Sequence, residues 1–347
     1  MSAIVPSPNP AVGNKLAAGP ALMLALGCVA LVMVSILSLM IGPRYITPTT
    51  LINAFQAFDG NLPAHIILRD TRLPRTLLGL ICGAAVGTSG ALVQAATRNP
   101  LADPGILGVN AGAAFAMTVA AAFIGLKTVD AYIWIALLGA MLTTLVVCVV
   151  CSAHKGSVAP VRLVLSGVAL SAVLGGIGSS ITLLTPQAFD AMRVWSVGSI
   201  SGRDVHVFAT VAPFIAVGLV IAVASGPSLN AVALGEDLAR SLGTDIIRSH
   251  VLVVLAVTLL CGAATAACGP IGFVGLMVPH AVRRFCRSDQ RWISALTMVF
   301  SPVLLLVADI IGRLILYPAE LEVGIVIAFI GAPVLILLAR HSKASRL

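Results

Sequence analysis

Apolar residues along this chain come in blocks about 20 residues long, separated by short polar interruptions, and within the blocks they do not alternate. A block of that length crosses the roughly 30 Å hydrocarbon core of a bilayer as a helix, whereas strands would show a period of two. The pattern predicts ten spans, at about 20–41, 72–92, 105–125, 131–151, 162–184, 206–225, 248–268, 272–284, 293–313 and 322–339. The eighth is the least regular. Residues 252–282 carry no formal charge and are too long for one span, but Gly269-Pro270-Ile271-Gly272 divides them. One full helix and a shorter segment are expected, joined by a loop that dips into the protein.

The stretch from Arg72 to Gly112 shows the pattern most clearly. An apolar, glycine-rich block opens at Arg72-Leu73-Pro74-Arg75 and ends at Arg98-Asn99-Pro100-Leu101-Ala102-Asp103-Pro104-Gly105, where a new block begins. Proline lacks the backbone N–H and clashes with the preceding turn, so this break cannot be helix interior. The expected structure is helix, tight polar turn at a membrane surface, and returning helix.

Composition agrees. The chain has 347 residues, 59% hydrophobic and 10% charged, against about 25% charged in a soluble domain. With 32 glycines and 5% aromatics, it suits closely packed membrane helices. The fold class expected is an all-α polytopic membrane protein with about ten transmembrane helices. Residues 1–19 read as a cytoplasmic tail, 20–340 as a single transmembrane domain and 341–347 as a second cytoplasmic tail. No cleavable signal is evident, because the run from Leu16 to Met40 is too long for a signal core.

The net charge of +8 does not point to nucleic acid, since the basic residues lie in short loops rather than in one stripe. With both termini in the cytoplasm, thirteen of the 21 Lys and Arg fall inside, as the positive-inside rule requires. Outside are Arg44, Arg69, Arg72, Arg75, Lys127, Arg193, Arg203 and Arg313. Arg72, Arg75 and Arg313 sit at outward helix ends, where they either snorkel to headgroups or form a rim for an acidic external partner.

The inner loop from Gly226 to Arg248 is the longest and most acidic. Within it, Ala233 to Leu242 reads as a short surface helix with Leu234, Leu238 and Leu242 on one face and Gly235 and Gly243 near its ends. That leucine face needs a cover, either from its own bundle or from a partner subunit. Asp309, four residues before Arg313, is placed for an ion pair on one helix face. No other span supplies a central acid, which argues against a proton-coupled carrier. The chain has no Gly-x-x-x-x-Gly-Lys-Ser/Thr, no His-Glu-x-x-His and no Gly-x-Ser-x-Gly. Neither a catalytic constellation nor a metal-ligand set is found. Cys148 and Cys151 lie within a continuous apolar run and read as packing residues. Gly83-x-x-x-Gly87 and Gly175-Gly176-x-Gly178 read as close-packing sites within the subunit.

Together these motifs resemble a known family. Arg72-Leu-Pro-Arg75, Gly83, Gly90 and Gln94, then Arg98-Asn-Pro-Leu-Ala-Asp-Pro-Gly105 and Leu107-Gly108, are similar to the permease subunits of iron–siderophore, haem and vitamin B12 ABC importers. Gly269-Pro-Ile-Gly-Phe-Val-Gly-Leu-Met-Val-Pro-His280 resembles a second signature of the family. Ala308-Asp309 through Arg313, Glu320, Gly324 and Gly331-Ala-Pro333 resembles a third. The detail is most like the ferric enterobactin-type (catecholate) permeases, with Ala-Pro-Val-Arg-Leu at 159–163 where Ser-Pro-Val-Arg-Leu is usual.

The resemblance implies a type II ABC importer permease moving a ferric siderophore from periplasm to cytoplasm. It works in a pair, with two separate ATPase subunits that carry ATP and Mg, and with a periplasmic substrate-binding protein. Arg72, Arg75 and Arg313 then match arginines that meet glutamates of the binding protein. Asn99, Pro100 and Leu101 match the cytoplasmic gate. Leu234, Gly235, Glu236, Asp237, Leu238, Ala239, Leu242 and Gly243 match the coupling helix that seats in the ATPase. Enterobactin-like permeases pair with a related subunit, haem and B12 relatives with themselves. The chain departs from the family at Glu322, where proline is common, placing an extra carboxylate near Arg313. The alternatives are a haem or vitamin B12 importer permease, in which the chain would pair with itself, a stand-alone secondary transporter and an intramembrane enzyme; the lack of central acids and of any acid–base set counts against the last two.

Overall fold

The computed structural model describes residues 19–125, 129–152, 160–286 and 289–344. The tails 1–18 and 345–347, together with Lys127, Lys155, Ala159 and Arg287, lie outside the described residues. All regular structure among the described residues is helical.

In chain order the helices are α1 (Pro20–Met40), α2 (Pro48–Gln56), α3 (Pro63–Thr97), α4 (Val109–Ile124), α5 (Val129–Ser152), α6 (Pro160–Leu184) and α7 (Pro186–Trp195). They continue with α8 (Val205–Ala224), α9 (Gly226–Ala233), α10 (Glu236–Ser241), α11 (Ile246–Cys268), α12 (Val274–Cys286), α13 (Gln290–Ile315) and α14 (Val323–Ala344). Seven are long and apolar enough to cross a membrane: α1, α3, α5, α6, α8, α11 and α13. The shorter apolar α4 and α14, and α12, account for the other three predicted spans. At about 1.5 Å per residue, α12 is too short to cross the hydrocarbon alone, as the Gly269–Gly272 break predicts. The intervening loop is packed inward: Ile271 is buried, and the Cys268 carbonyl accepts the Ser199 N–H at 2.7 Å.

The bundle is built around α3, which packs against α13, α11, α12 and α8. Small residues make this possible. A Cβ on Gly83 would lie 2.6 Å from Pro302 Cα, and one on Gly87 would overlap Ser301. The 83–87 motif therefore packs within the subunit, as expected. Gly90 meets the Gly275 backbone of α12, and beside it Gln94 Nε2 donates to the Gly275 and Leu276 carbonyls at 3.3 Å. The 175–178 motif differs. A Cβ on Gly175 or Gly176 would meet nothing within 4 Å among the described residues, and most of α6 is exposed. Within-subunit packing is not the use of those two glycines.

No described cysteine is in a disulfide. Cys151 is buried on α5, and Cys82 and Cys268 bring α3 and α11 together with sulfurs 3.4 Å apart.

Candidate functional site

Three places carry the residues singled out in the sequence. At one end of the bundle, α1, α3, α13 and the turn before α14 converge on a charge cluster. A π-helical stretch, Ile67–Arg72, runs into the rest of α3 and sets the positions of Arg72 and Arg75. Asp309 is fully buried, and Arg75 grips it through Nε (3.1 Å to each carboxylate oxygen) and Nη2 (2.7 Å). Arg75 Nη1 also donates to Glu320 at 2.5 Å and to Ser201 Oγ at 3.2 Å. Arg313, only 2% exposed, donates to the other Asp309 oxygen, to the Ser38 and Ile41 carbonyls at 2.7 and 2.9 Å, and to Ser38 Oγ. Arg72 donates to the Leu39 and Met40 carbonyls at 2.7 and 2.6 Å and to that of Arg44.

The i, i+4 pair between Asp309 and Arg313 is thus present. The exposed rim of arginines is corrected. Arg72, Arg75 and Arg313 lie inside the fold because a carboxylate and the α1 C-terminal carbonyls offer them better partners than water does. Direct docking through them requires leaving bonds they already hold. On the same side, Arg44, Arg69 and Arg193 are exposed, and Arg69 lies over the Phe58 ring at 4.7 Å. Glu322 makes no ion pair with Arg313 among the described residues; its carbonyl caps the first turn of α14.

At the opposite end lies the turn after α3. Arg98 caps that helix in the left-handed conformation, and the Asn99 N–H returns to the Gln94 carbonyl. Asn99 Oδ1 accepts the Leu101 N–H at 3.0 Å, and Asp103 Oδ1 accepts the Gly105 N–H at 2.8 Å. Such side-chain turns satisfy the backbone locally and hold the loop rigid. Asn99 and Pro100 are exposed and Leu101 is half-buried. Burial raises the Asp103 carboxyl above its usual range, and the Gly105 N–H opposes that shift.

On the same face, the 226–248 segment is two helices rather than one. Gly235, at φ 119°, breaks the chain between Ala233, the last residue of α9, and Glu236, the first of α10. The helix expected over Ala233–Leu242 therefore starts three residues late. Gly243, at φ 80°, ends it as a left-handed cap. Ala239 is buried against Val232 and Ile246. Leu234, Leu238 and Leu242 point away, at 64%, 49% and 61% exposure. Asp237 is exposed.

Matching models place residues 30–341 in the FecCD transport family. The chain is 45% identical to the ferric enterobactin transport system permease protein FepD of Escherichia coli over 311 residues, covering 90% of this chain and 92% of that one. It is 36% identical to the probable siderophore transport system permease protein YfiZ of Bacillus subtilis, covering 83% and 86%. A solved inward-facing metal-chelate type ABC transporter superposes with a TM-score of 0.80 at 26% identity, covering 93% of this chain and 99% of that one.

The chain belongs to the FecCD transport family.

It is accordingly a multi-pass membrane permease of the ABC transporter class and not an enzyme. Within this FecCD fold, one feature escaped the sequence reading. Asn230 on α9 donates to Asp289 Oδ1 at 2.8 Å and accepts the Gln290 N–H at 2.8 Å, clasping the segment before α10 to the start of α13. The Asp289-Gln290 helix start was the available signal. The Asn230 amide, and next the Arg291 N–H, hold the Asp289 carboxyl below its usual range. A depressed carboxyl stabilises above its unfolded value and loses that contribution as pH falls through the folded one. Asn230→Ala should therefore speed hydrogen exchange in 226–248 at neutral pH. The difference between parent and variant should narrow as pH falls through the folded Asp289 value, where protonation removes the same contribution from the parent. Equal exchange in parent and variant at every pH would show that the clasp holds nothing.

Proposed function

We propose that this chain is the membrane-spanning subunit of an ATP-driven importer. It passes a ferric siderophore of the catecholate class inward by alternating access, and ATP and Mg act on separate ATPase chains. The observation that carries the reading is α10: a short helix fixed by one buried alanine, with Leu238 on it and Leu234 and Leu242 at its two ends left uncovered on the face of the molecule that bears the 98–105 turn. Exposed leucines beside a rigid anchor suit a helix that seats in a partner's cleft and passes movement on as a rigid body.

The cargo class rests on the likeness to FepD, whose name gives ferric enterobactin as what it transports. Both termini and α10 then face the cytoplasm, and the charge cluster faces the periplasm. There the exposed Arg44, Arg69 and Arg193 meet an acidic binding protein first, with Arg72, Arg75 and Arg313 behind them. Asn99, Pro100 and Leu101 close the inner end of the pathway as a rigid turn. The second permease, related rather than identical, packs on the open glycine face of α6, where small residues allow close approach.

The test is co-purification from detergent with mass identification. A P-loop ATPase should accompany the chain and be lost when Leu234, Leu238 and Leu242 are all changed to Ser. Recovery of the chain alone, with uptake intact in ATP-free vesicles, would overturn the proposal in favour of a secondary carrier.

A further inference from the structure

A groove of about 850 Å³ lies between α5 and α11, closed at one end by the start of α6 and by Arg240 of α10. Its walls are aliphatic, chiefly Leu138, Leu142 and Leu145 on α5 and Ile247, Val251 and Leu255 on α11. These side chains are strongly exposed, on helices whose outer surface meets hydrocarbon. The hydroxyls in the groove are already used: Thr144 donates to the Ala140 carbonyl and Thr258 to that of Val254. Along α11 the groove runs from Ile246 to Thr258, about 18 Å at the helical rise of 1.5 Å per residue. That is a little over half the roughly 30 Å hydrocarbon core, the depth of one leaflet.

Polarity is confined to the α10 end. Arg240 lines the groove there, with its side chain about half exposed and Asp237 3.8 Å away. His250 lines the same end. Its Nδ1 is 2.8 Å from the Ile246 carbonyl, while its buried Nε2 has no hydrogen-bond partner among the described residues. A buried polar nitrogen left unmatched beside a cavity is costly unless an occupant answers it.

We propose that this groove binds an anionic phospholipid of the α10-side leaflet, with its acyl chain between α5 and α11, its phosphate at Arg240 and a headgroup hydroxyl donating to His250 Nε2, the acceptor nitrogen left when Nδ1 donates to the Ile246 carbonyl. The shape is a single-leaflet apolar slot with a cation and an unmatched nitrogen at its membrane-surface end, which is the polarity of a lipid. A protein helix in the same slot would bury Arg240 and the His250 nitrogen against aliphatic side chains, which disfavours both groups. Arg240 belongs to α10, so the bound headgroup ties the bilayer to the segment proposed above to engage the ATPase. Calling that leaflet cytoplasmic rests on the proposed function. Lipid retention is read without transport, so either idea can fail alone.

The experiment is native mass spectrometry of the full chain in detergent, supplied with equal amounts of phosphatidylglycerol and phosphatidylcholine of the same acyl chains. Phosphatidylglycerol should be retained about fivefold over phosphatidylcholine, the size of effect one arginine near an anionic surface supplies. Arg240→Gln, a change at a half-exposed side chain that leaves the core untouched, should bring the two lipids to parity. Leu142→Trp with Val251→Trp, which fills the slot, should lower retention of both. A photoreactive residue at 251 in membranes should label lipid. Parity in the parent chain, a preference that survives Arg240→Gln, or labelling of a protein chain from position 251 would each overturn the proposal.

Discussion

Replacing Asp309 by asparagine should cost roughly 3–5 kcal/mol of stability, the effect of removing one partner from a buried ion pair. The parent carboxylate is fully buried and shared by Arg75 and Arg313, which reach it from α3 and from its own helix, α13. Asparagine keeps the shape and one acceptor oxygen but leaves two buried cations facing each other, with Glu320 alone as counter-charge. The interior offers no water to screen them, so the repulsion is far larger than at a surface. Because Arg313 also holds the Ser38 and Ile41 carbonyls at the end of α1, the damage should spread to the α1–α13 contact. The measurement is the thermal transition of purified protein in detergent, alongside the fraction eluting as a single peak. A compensated variant, Asp309→Leu with Arg75→Met and Arg313→Met, removes both signs of charge at similar volume and should recover most of the loss. If Asp309→Asn melts with the parent, the cluster does not hold its end of the bundle together.

That cluster also shows what the sequence could and could not say. Asp309 and Arg313 are four residues apart on one helix, so their pairing is readable from spacing alone. Arg75 is 234 positions from Asp309, and no local pattern reports that it completes the group. A cation at a helix end reads the same whether it turns outward to headgroups or inward to the carbonyls of a neighbouring helix. The available clue was a lone intramembrane acid with more than one arginine at the same membrane depth, which favours burial of all of them.

Long apolar blocks and proline–glycine breaks were legible because each reflects one physical constraint acting locally. The bilayer sets the length of the blocks, and proline and glycine set where helices stop. The short helices α2 and α7 were not foreseen. Each begins at a proline following a threonine, Thr47-Pro48 and Thr185-Pro186, a start signal easily passed over beside twenty-residue runs. The late start of α10 has the same kind of cause. The leucines at i, i+4 and i+8 suggested continuity through Gly235, whereas the backbone takes a positive φ there, which only glycine adopts without strain.

The two glycine motifs make the same point about packing, and they set up the second large effect. Glycine to alanine is a single methyl, yet it should act in opposite directions at two positions of this membrane domain. At Gly90 the new Cβ would fall on the Gly275 backbone, where neither side has a flexible side chain to move aside. The helices α3 and α12 must separate, and the Gln94 bonds to the Gly275 and Leu276 carbonyls lengthen with them. Overpacking of this kind typically costs about 1–3 kcal/mol, and contact with rigid backbone puts Gly90→Ala at or above the upper end. At Gly175 the same methyl meets nothing within 4 Å among the described residues, so the isolated subunit should be unharmed. It should even gain up to about 1 kcal/mol, the helix-interior preference of alanine over glycine. If the open face of α6 receives the second permease, Gly175→Ala with Gly176→Ala should instead weaken subunit pairing while the subunit itself melts no lower. Thermal transitions of the isolated chain, set beside the fraction recovered as a pair after crosslinking, separate the two effects. Equal destabilisation at both positions would mean that α6 is covered within the subunit, and the proposed second permease would have to be placed elsewhere.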